Sequence, residues 1–173
     1  GTILDTSRLR ARLSEYYNLN QSNVHAYVFG EHGDSSFIPW SVANISNVPI
    51  DDCDKLISTD TSSYPKFDRD EVEQYVRKSG GIVIERKGAT FYAVSASVCH
   101  ICKCLLAGID TTMTVSTLMH GEYGVDDVCL SVLNIVGNEG AKAKVLMPLT
   151  DDELVKLRKS SDTLKDVINN LDI

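Results

Sequence analysis

Apolar residues recur at helical spacing in four stretches of the chain, and residues typical of helix starts accompany the first and the last of them. Asp5 and Thr6 stand where the first helix needs an N-cap, and Thr150 stands in the same relation to the last helix. In the second stretch, Ser79-Gly80-Gly81 favours a kink because glycine weakens a helix interior. The predicted helices cover about residues 6–17, 67–84, 88–106 and 151–171.

β-Branched and aromatic residues dominate the shorter apolar runs between these helices, which predicts strands. The turn Gly137-Asn138-Glu139-Gly140 joins the last two strands as an antiparallel hairpin, and residues 51–65 form a polar connection. The predicted strands cover about residues 24–30, 38–45, 111–120, 128–136 and 143–147. Together the elements predict one α+β domain over residues 1–173, with mostly antiparallel strands and long helices.

The composition is typical of a globular domain, because 173 residues with 43% hydrophobic and 24% charged side chains can bury one core. The net charge of −7 argues against a nucleic-acid partner and against an anionic membrane surface. No apolar run approaches the roughly 18–20 residues that a membrane span needs, and the first residues do not form a signal peptide. Five cysteines, an odd number, fit a reducing compartment, so we expect a cytoplasmic protein.

Three of the cysteines lie close together in the segment Cys99-His100-Ile101-Cys102-Lys103-Cys104. This segment continues a helical apolar pattern in which Cys99 and Cys102 share a face and Cys104 points elsewhere. The paired ligand knuckles of a zinc site are missing. We therefore predict that these cysteines pack in the core and that the chain holds no metal.

His32 stands in a loop between Gly30 and Gly33, directly after an apolar run. Glycine lets the backbone turn tightly there and approach a ligand, which displays the histidine. Imidazole changes protonation near neutral pH, so a displayed histidine can act as a general acid and base. An ordinary loop histidine is the alternative, and a second site has to decide between the two interpretations.

That second site lies in the first helical turn, where Asp5 and Arg8 stand three residues apart on one face. A carboxylate can accept the N–H of an imidazole and fix its tautomer, as in hydrolase triads. An arginine can hold a substrate carboxylate with two parallel hydrogen bonds. The same spacing also describes a plain surface ion pair, which contributes only about 0.2–0.5 kcal/mol.

Three segments together resemble the lactate/malate dehydrogenase family, and within it the C-terminal, substrate-binding domain of the NAD-dependent L-lactate dehydrogenases. They are Gly1-Thr2-Ile3-Leu4-Asp5-Thr6-Ser7-Arg8-Leu9-Arg10, Gly30-Glu31-His32-Gly33-Asp34-Ser35 and Lys87-Gly88-Ala89-Thr90. The resemblance extends over the whole chain and implies the fold of that domain. It also implies an enzyme of glycolysis and fermentation that interconverts pyruvate and L-lactate.

The resemblance implies a role for each matching residue. His32 would exchange a proton with the substrate, Asp5 would hold His32, and Arg8 would hold the substrate carboxylate. Thr90 would face the substrate and the nicotinamide of NAD, which carries the hydride. The family binds NAD mainly through an N-terminal Rossmann domain, and this sequence contains neither its Gly-rich turn nor the mobile loop that covers the substrate. We therefore expect the Rossmann domain to be absent and this chain to be inactive alone.

Family members are commonly tetramers, so we expect a homotetramer of the full-length protein. Arg10 and His25 resemble the pair that binds fructose 1,6-bisphosphate in allosteric bacterial lactate dehydrogenases, although Arg10 also fits a solvated helix residue. Ser36, Phe37 and Asn134 replace the usual acidic residue, leucine and proline, which leaves the subgroup open. Two alternatives stay open: a malate or branched 2-hydroxy acid dehydrogenase domain, and a non-catalytic module that binds carboxylates or oligomerises.

Overall fold

The computed structural model describes residues 1–56 and 66–171, and every strand pair in its two sheets is antiparallel. The helices are α1 (Thr2–Tyr16), α2 (Cys53–Leu56), α3 (Arg69–Lys87), α4 (Tyr92–Ala107) and α5 (Asp151–Asn169). The strands are β1 (Val24–His25), β2 (Asn44–Ile45), β3 (Val48–Pro49), β4 (Thr111–His120), β5 (Asp126–Gly137) and β6 (Gly140–Lys144). β1, β2 and β3 form a small sheet in that order, and β4, β5 and β6 form a larger one. The predicted α+β domain is confirmed, while residues 57–65 of the predicted polar connection lie outside the described residues.

The first core forms around α1. Helical spacing places Leu9, Leu13 and Tyr16 on one face of α1, and all three are buried. Val28, from the segment after α1, and Val72, from α3, belong to the same buried cluster. α1, the segment that follows it and the first half of α3 are therefore parts of one core.

Arg12 and Glu71 tie α1 to α3. Arg12 donates from Nε and Nη2 to the two carboxylate oxygens of Glu71, at 3.2 and 2.7 Å. The Tyr16 hydroxyl donates to Glu71 Oε2 at 2.5 Å. The hydrogen bonds from Arg12 lower the pKa of Glu71. Burial, helped by Glu71, raises the pKa of Tyr16 to about 12.

The second core lies between the larger sheet and α5. Phe29, Leu130 and Leu157 are completely buried there. The backbones of Gly30 and Ser131 exchange two hydrogen bonds, at 2.9 and 3.1 Å, which fixes the end of the apolar run to β5. The loop that follows Gly30 therefore starts at the junction of the two cores.

The first helix begins earlier than predicted, with Gly1 as its N-cap, so the prediction of Asp5 and Thr6 as the cap is wrong. The Gly1 carbonyl accepts a hydrogen bond from the N–H of Leu4 at 2.9 Å. Asp5 and Thr6 lie inside the helix, where their side chains bond to residues far along the chain. Cap preferences describe local bonds only, and these two side chains have long-range partners instead.

Two predicted strands are much shorter than expected. Within residues 24–30 only Val24–His25 is a strand, and residues 38–45 form a 3₁₀ turn at Trp40–Val42 before β2. The indole N–H at the start of this turn donates to Glu73 Oε1 at 2.9 Å, which connects the turn to α3. The apolar pattern of residues 38–45 carries no sign that the indole bonds to a distant helix. The strand prediction for these residues therefore failed.

The other helix predictions agree better with the structure. α3 continues through Ser79-Gly80-Gly81 to Lys87 without a break, so the helix is confirmed and the predicted kink is wrong. Thr150 caps α5 in a capping box with Glu153, as predicted. None of the described helices is long and apolar enough to cross a membrane.

The cysteines of α4 are not core residues, so the packing prediction is wrong. Cys99 and Cys102 are exposed, and Cys104 is half-buried. No residue of α4 is buried, and Leu106 is 89% exposed. A helical apolar pattern indicates that a face exists, but it does not show what covers that face.

Candidate active site

His32, Asp5 and Arg8 meet at one carboxylate. Asp5 Oδ2 lies 2.6 Å from His32 Nδ1, and Arg8 Nη1 donates to Asp5 Oδ1 at 3.1 Å. The Asp5 side chain is 9% exposed, whereas the His32 side chain is 58% exposed. A buried carboxylate thus holds an exposed imidazole and a largely buried guanidinium. Because Nδ1 is engaged, Nε2 is the ring nitrogen left to exchange a proton with a bound molecule.

Buried hydroxyl groups fix the position of Asp5. Thr2 Oγ1 donates to Ser131 Oγ at 2.8 Å, and Thr6 Oγ1 lies 2.9 Å from Thr114 Oγ1. The Val28 N–H donates to Thr6 Oγ1 at 3.0 Å. Because these bonds are buried, they attach the start of α1 to both long strands and to the segment that leads into the loop.

The His32 ring lies directly against the start of α1. A Cβ added to Gly1 would lie 2.5 Å from His32 Cγ, far inside contact distance. A residue without a side chain at position 1 is therefore required for the ring to lie where it does. Sequence reasoning missed this role, because a glycine that makes room for a distant ring has no local signature.

A cavity of about 350 Å³ opens beside the three residues. Thr90 lies in its wall, so the structure brings all four predicted substrate-site residues to one cavity. Gly80 and Gly81 line the cavity from α3. A Cβ on Gly80 would lie 3.9 Å from Arg8 Nη1, and a Cβ on Gly81 would meet nothing within 4 Å. The α3 wall is therefore open next to Arg8.

Arg77 is a second guanidinium in the cavity wall, and sequence reasoning missed it. Its Nη2 donates to the Ser36 carbonyl at 3.1 Å and to Glu73 Oε2 at 3.2 Å. The i,i+4 spacing of Glu73 and Arg77 is typical of a surface pair on a helix, so the sequence carries no signal for the contact with Ser36. This contact ties α3 to the segment after His32.

Arg10 and His25 do not line this cavity. Arg10 Nε donates to the Ala26 carbonyl at 3.1 Å, and its guanidinium lies 5.1 Å from the Tyr27 ring centroid. Burial lowers the pKa of Arg10. His25 is exposed on β1, beside Ala26, so the structure brings Arg10 and His25 to the same stretch of backbone.

The described residues contain neither a metal-binding cluster nor a turn that would bind the phosphates of a dinucleotide. Within residues 1–56 and 66–171, no group of three His, Cys, Asp or Glu side chains could hold a metal ion. Thr90 lies in the same cavity wall as His32 and Arg8. None of the described helices follows a strand through a Gly-rich turn of the kind that binds a pyrophosphate.

A family model matches this α+β domain over nearly the whole chain. The model of the lactate/malate dehydrogenase, alpha/beta C-terminal domain matches residues 2–172. The chain belongs to the lactate/malate dehydrogenase family, and the part of the family that it matches is the C-terminal domain.

Similar proteins are named L-lactate dehydrogenases. The L-lactate dehydrogenase of Acetivibrio thermocellus is 41% identical over an alignment that covers 100% of this chain and 54% of that protein. L-lactate dehydrogenase 2 of Clostridium acetobutylicum is 40% identical, with 99% of this chain and 52% of that protein covered. A solved L-lactate dehydrogenase from Clostridium thermocellum has a TM-score of 0.87 at 34% identity, with 100% of this chain and 55% of that chain covered. The chain spans about half the length of the curated relatives it matches.

Proposed function

We propose that this chain is the catalytic half of an NAD-dependent L-lactate dehydrogenase, which interconverts pyruvate and L-lactate and is inactive without its cofactor-binding half. One observation carries the proposal: Asp5 holds His32 with one carboxylate oxygen and Arg8 with the other, in the wall of a single cavity. An acid–base group and a carboxylate clamp, held together, match the needs of one small 2-oxo acid. The names of the relatives favour lactate.

Arg8 would bind the substrate carboxylate. Its Nη1 is bonded to Asp5, but a guanidinium has five N–H donors, so two parallel bonds to a substrate carboxylate remain available. The Arg8 side chain is only 16% exposed, so water competes weakly for these donors. Holding the carboxylate orients the 2-oxo group relative to His32.

His32 would move the proton. Asp5 accepts the Nδ1 hydrogen and thereby fixes the tautomer, which leaves Nε2 for the substrate. During reduction, Nε2–H protonates the oxygen of pyruvate as negative charge develops on it, and during oxidation Nε2 takes the hydroxyl proton of lactate. NADH, when bound, supplies the hydride that forms the new C–H bond.

Thr90 would face the substrate and the nicotinamide, and the rest of NAD would be bound by the amino-terminal half of the full-length protein. We expect that protein to be a cytoplasmic homotetramer that works in glycolysis and fermentation. Fructose 1,6-bisphosphate at Arg10 and His25 is the expected activator, because an arginine, and a histidine when it is protonated, suit its phosphates. Loss of activation in an Arg10→Gln variant would support this site, and unchanged activation would contradict it.

A branched 2-oxo acid is the second candidate substrate, and the α3 wall favours it. Glycine in a helix interior costs roughly 0.5–1 kcal/mol relative to alanine. Neither Gly80 nor Gly81 has a positive φ, and neither has a neighbour that a Cβ would overlap. Their effect at this place is to leave room beside Arg8 for a side chain larger than the methyl group of pyruvate.

Gly80→Ala and Gly81→Ala in the full-length protein separate the two substrates. If a branched substrate uses this room, each variant lowers kcat/KM for 2-oxo-4-methylpentanoate by about tenfold, as expected for lost or blocked methylene contacts, and leaves pyruvate unaffected. Equal changes for both substrates would favour pyruvate alone.

The proposed function is tested by two measurements on the native polypeptide, its intact mass and its rate of NADH-dependent pyruvate reduction. A mass near twice that of this chain, with turnover, supports the proposal. A native mass equal to that of these 173 residues, with oxamate affinity better than about millimolar without NADH, supports the non-catalytic carboxylate-binding module, because half a site without a lid should bind weakly.

A further inference from the structure

Ser160 lies in the middle of α5, far along the chain from the His32 loop, yet its hydroxyl contacts that loop. The Glu31 N–H donates to Ser160 Oγ at 2.7 Å, and Ser160 is completely buried. Glu31 immediately precedes His32. We propose that Ser160 is a positioning residue that sets where the His32 ring stands relative to Asp5, an inference that rests on the proposed function above.

The far side of the loop reaches the same hydroxyl. Ser35 Oγ lies 3.0 Å from Ser160 Oγ and donates to Glu31 Oε1 at 2.6 Å. The Ser35 N–H donates to the same Glu31 oxygen at 3.0 Å. The loop therefore closes on itself through Glu31, and Ser160 contacts both ends of the closed loop.

The backbone at Gly30 is shaped to fit Ser160. Gly30 has a φ of +94°, a conformation that favours glycine, and a Cβ there would lie 2.5 Å from Ser160 Oγ. The absent side chain lets the loop approach α5 closely enough for the Glu31 N–H to reach the hydroxyl. Gly30 and Ser160 thus act as a matched pair, with one making room and the other accepting the bond.

α5 is held firmly enough to serve as a reference for the loop. Its first turn is joined to the segment after His32, because Glu153 accepts hydrogen bonds from the Ser41 N–H at 3.0 Å and the Ser41 hydroxyl at 2.5 Å. Leu157, one turn before Ser160, is completely buried. A change at Ser160 is therefore expected to move the loop and to leave the helix in place.

This geometry predicts a specific kinetic effect. Without the Ser160 hydroxyl, a part-buried N–H next to His32 loses its partner, and the loop shifts to find another. A displacement of about 1 Å in a reacting group can cost about 100-fold in rate. Arg8 lies on α1 and its hydrogen bond goes to Asp5, so substrate binding is expected to change little while proton transfer slows.

The test uses the full-length enzyme with Ser160→Ala, and Ser161→Ala as the matched control, because Ser161 is the neighbouring buried serine. We expect Ser160→Ala to lower kcat for pyruvate reduction about 10- to 100-fold, to leave KM within about threefold, and to raise the solvent deuterium isotope effect on kcat. Ser160→Cys, which keeps a weak acceptor of similar shape, should recover part of kcat. Ser161→Ala should retain wild-type kcat and isotope effect.

Two outcomes would overturn the proposal. One is a loss of kcat in Ser160→Ala that Ser161→Ala matches, and the other is unchanged kcat with unchanged isotope effect. If Ser160→Ala fails to fold, Ser160→Cys and Ser35→Ala decide, because Ser35 contacts the same hydroxyl from the loop side. Absence of pyruvate reduction in the wild-type enzyme would instead contradict the proposed function, so the two failures are distinguishable.

Discussion

The two sides of the candidate cavity differ in how well this domain supports them. On one side, Thr2 and Thr6 join α1 to the strands through buried hydroxyls, and the loop of His32 is bonded to β5 and α5. On the other side, α4 has no buried residue, and Ile84 near the end of α3 is 51% exposed. The domain's own fold therefore fixes Asp5, His32 and Arg8, while α4 and the end of α3 in the opposite wall have little packing to hold them.

The difference follows from the kind of residue on each side. Buried polar groups need partners, and each pair that forms restricts the geometry of the elements that carry it. Exposed apolar residues on α4 need no hydrogen-bond partners, so within the described part of the chain they do not restrict the geometry of α4 in this way. Under the proposed function, the weakly packed wall is the one that would be completed by the rest of the full-length protein.

Apart from the loss of His32 itself, the largest effect is expected at Arg8. Arg8→Lys in the full-length protein keeps the charge but loses the planar fork that matches a carboxylate. We expect kcat/KM for pyruvate to fall by about 10³-fold, roughly 4 kcal/mol, mostly through KM. Arg12→Lys, on the same helix and outside the cavity lining, is the control in steady-state kinetics. An unchanged KM for Arg8→Lys would remove Arg8 from its proposed role.

Leucine truncation compares the stability of the two regions directly. Leu130 is completely buried in the second core, whereas Leu106 of α4 is 89% exposed. We expect Leu130→Ala to lower the free energy of unfolding by about 3 kcal/mol and Leu106→Ala to change it by less than about 0.5 kcal/mol. Denaturant unfolding of the same protein preparation measures both. Equal losses would show that α4 is packed as firmly as the sheet.

Gly1→Ala tests the close approach of His32 to α1. The new Cβ would overlap the ring, so the ring must move away from its position beside Asp5. We expect kcat for pyruvate to fall by about 100-fold. Oxamate titration serves as the internal control for folding and for Arg8. A variant with wild-type kcat would show that the ring tolerates displacement.

The smallest effect is expected from the tie between α1 and α3, and it depends on pH. Because Arg12 lowers the pKa of Glu71 in the folded state, the bond stabilises the fold above the unfolded pKa of glutamate and is lost as pH falls through the folded pKa. The Glu71 side chain is 39% exposed, so solvent screening limits the effect to about 0.5–1 kcal/mol.

Glu71→Gln measures this contribution. At pH 7 the variant should be less stable than wild type by that amount, and the difference should shrink as pH falls below about 4. Thermal unfolding at a series of pH values gives both curves. A difference that does not vary with pH would mean that the contact is not electrostatic.

The sequence singled out the central residues of the candidate site because their signals are local. A glycine-flanked histidine after an apolar run, and an Asp–Arg pair three residues apart, are both visible in a few letters of sequence. The contact of Asp5 with His32, at 2.6 Å, joins residues 27 positions apart, and only the family resemblance predicted it. The contact of Asp5 with Arg8, at 3.1 Å, is the local i,i+3 pair that the spacing also described. The capping box at Thr150 is also a local pattern, and for that reason it could be predicted from the sequence.

The supporting residues were not predictable for the opposite reason. Thr6 has the residue type that caps helices. Its hydroxyl instead accepts a hydrogen bond from the Val28 N–H and shares one with Thr114 Oγ1, both in other elements. Ser160 looks like any polar residue in a helix until its contact with Glu31 is known. The cysteines of α4 fit a core pattern, but burial depends on a covering layer that periodicity does not describe.

The rate of pyruvate reduction by a His32→Asn variant of the full-length protein tests most directly whether the Asp5–His32 pair is the reaction centre. Asparagine cannot exchange a proton near neutral pH, and His32 is exposed enough for the fold to tolerate the change. We predict a kcat at least about 10³-fold below wild type with an unchanged unfolding midpoint. A variant that keeps more than about a tenth of the wild-type kcat would contradict the assignment of proton transfer to His32.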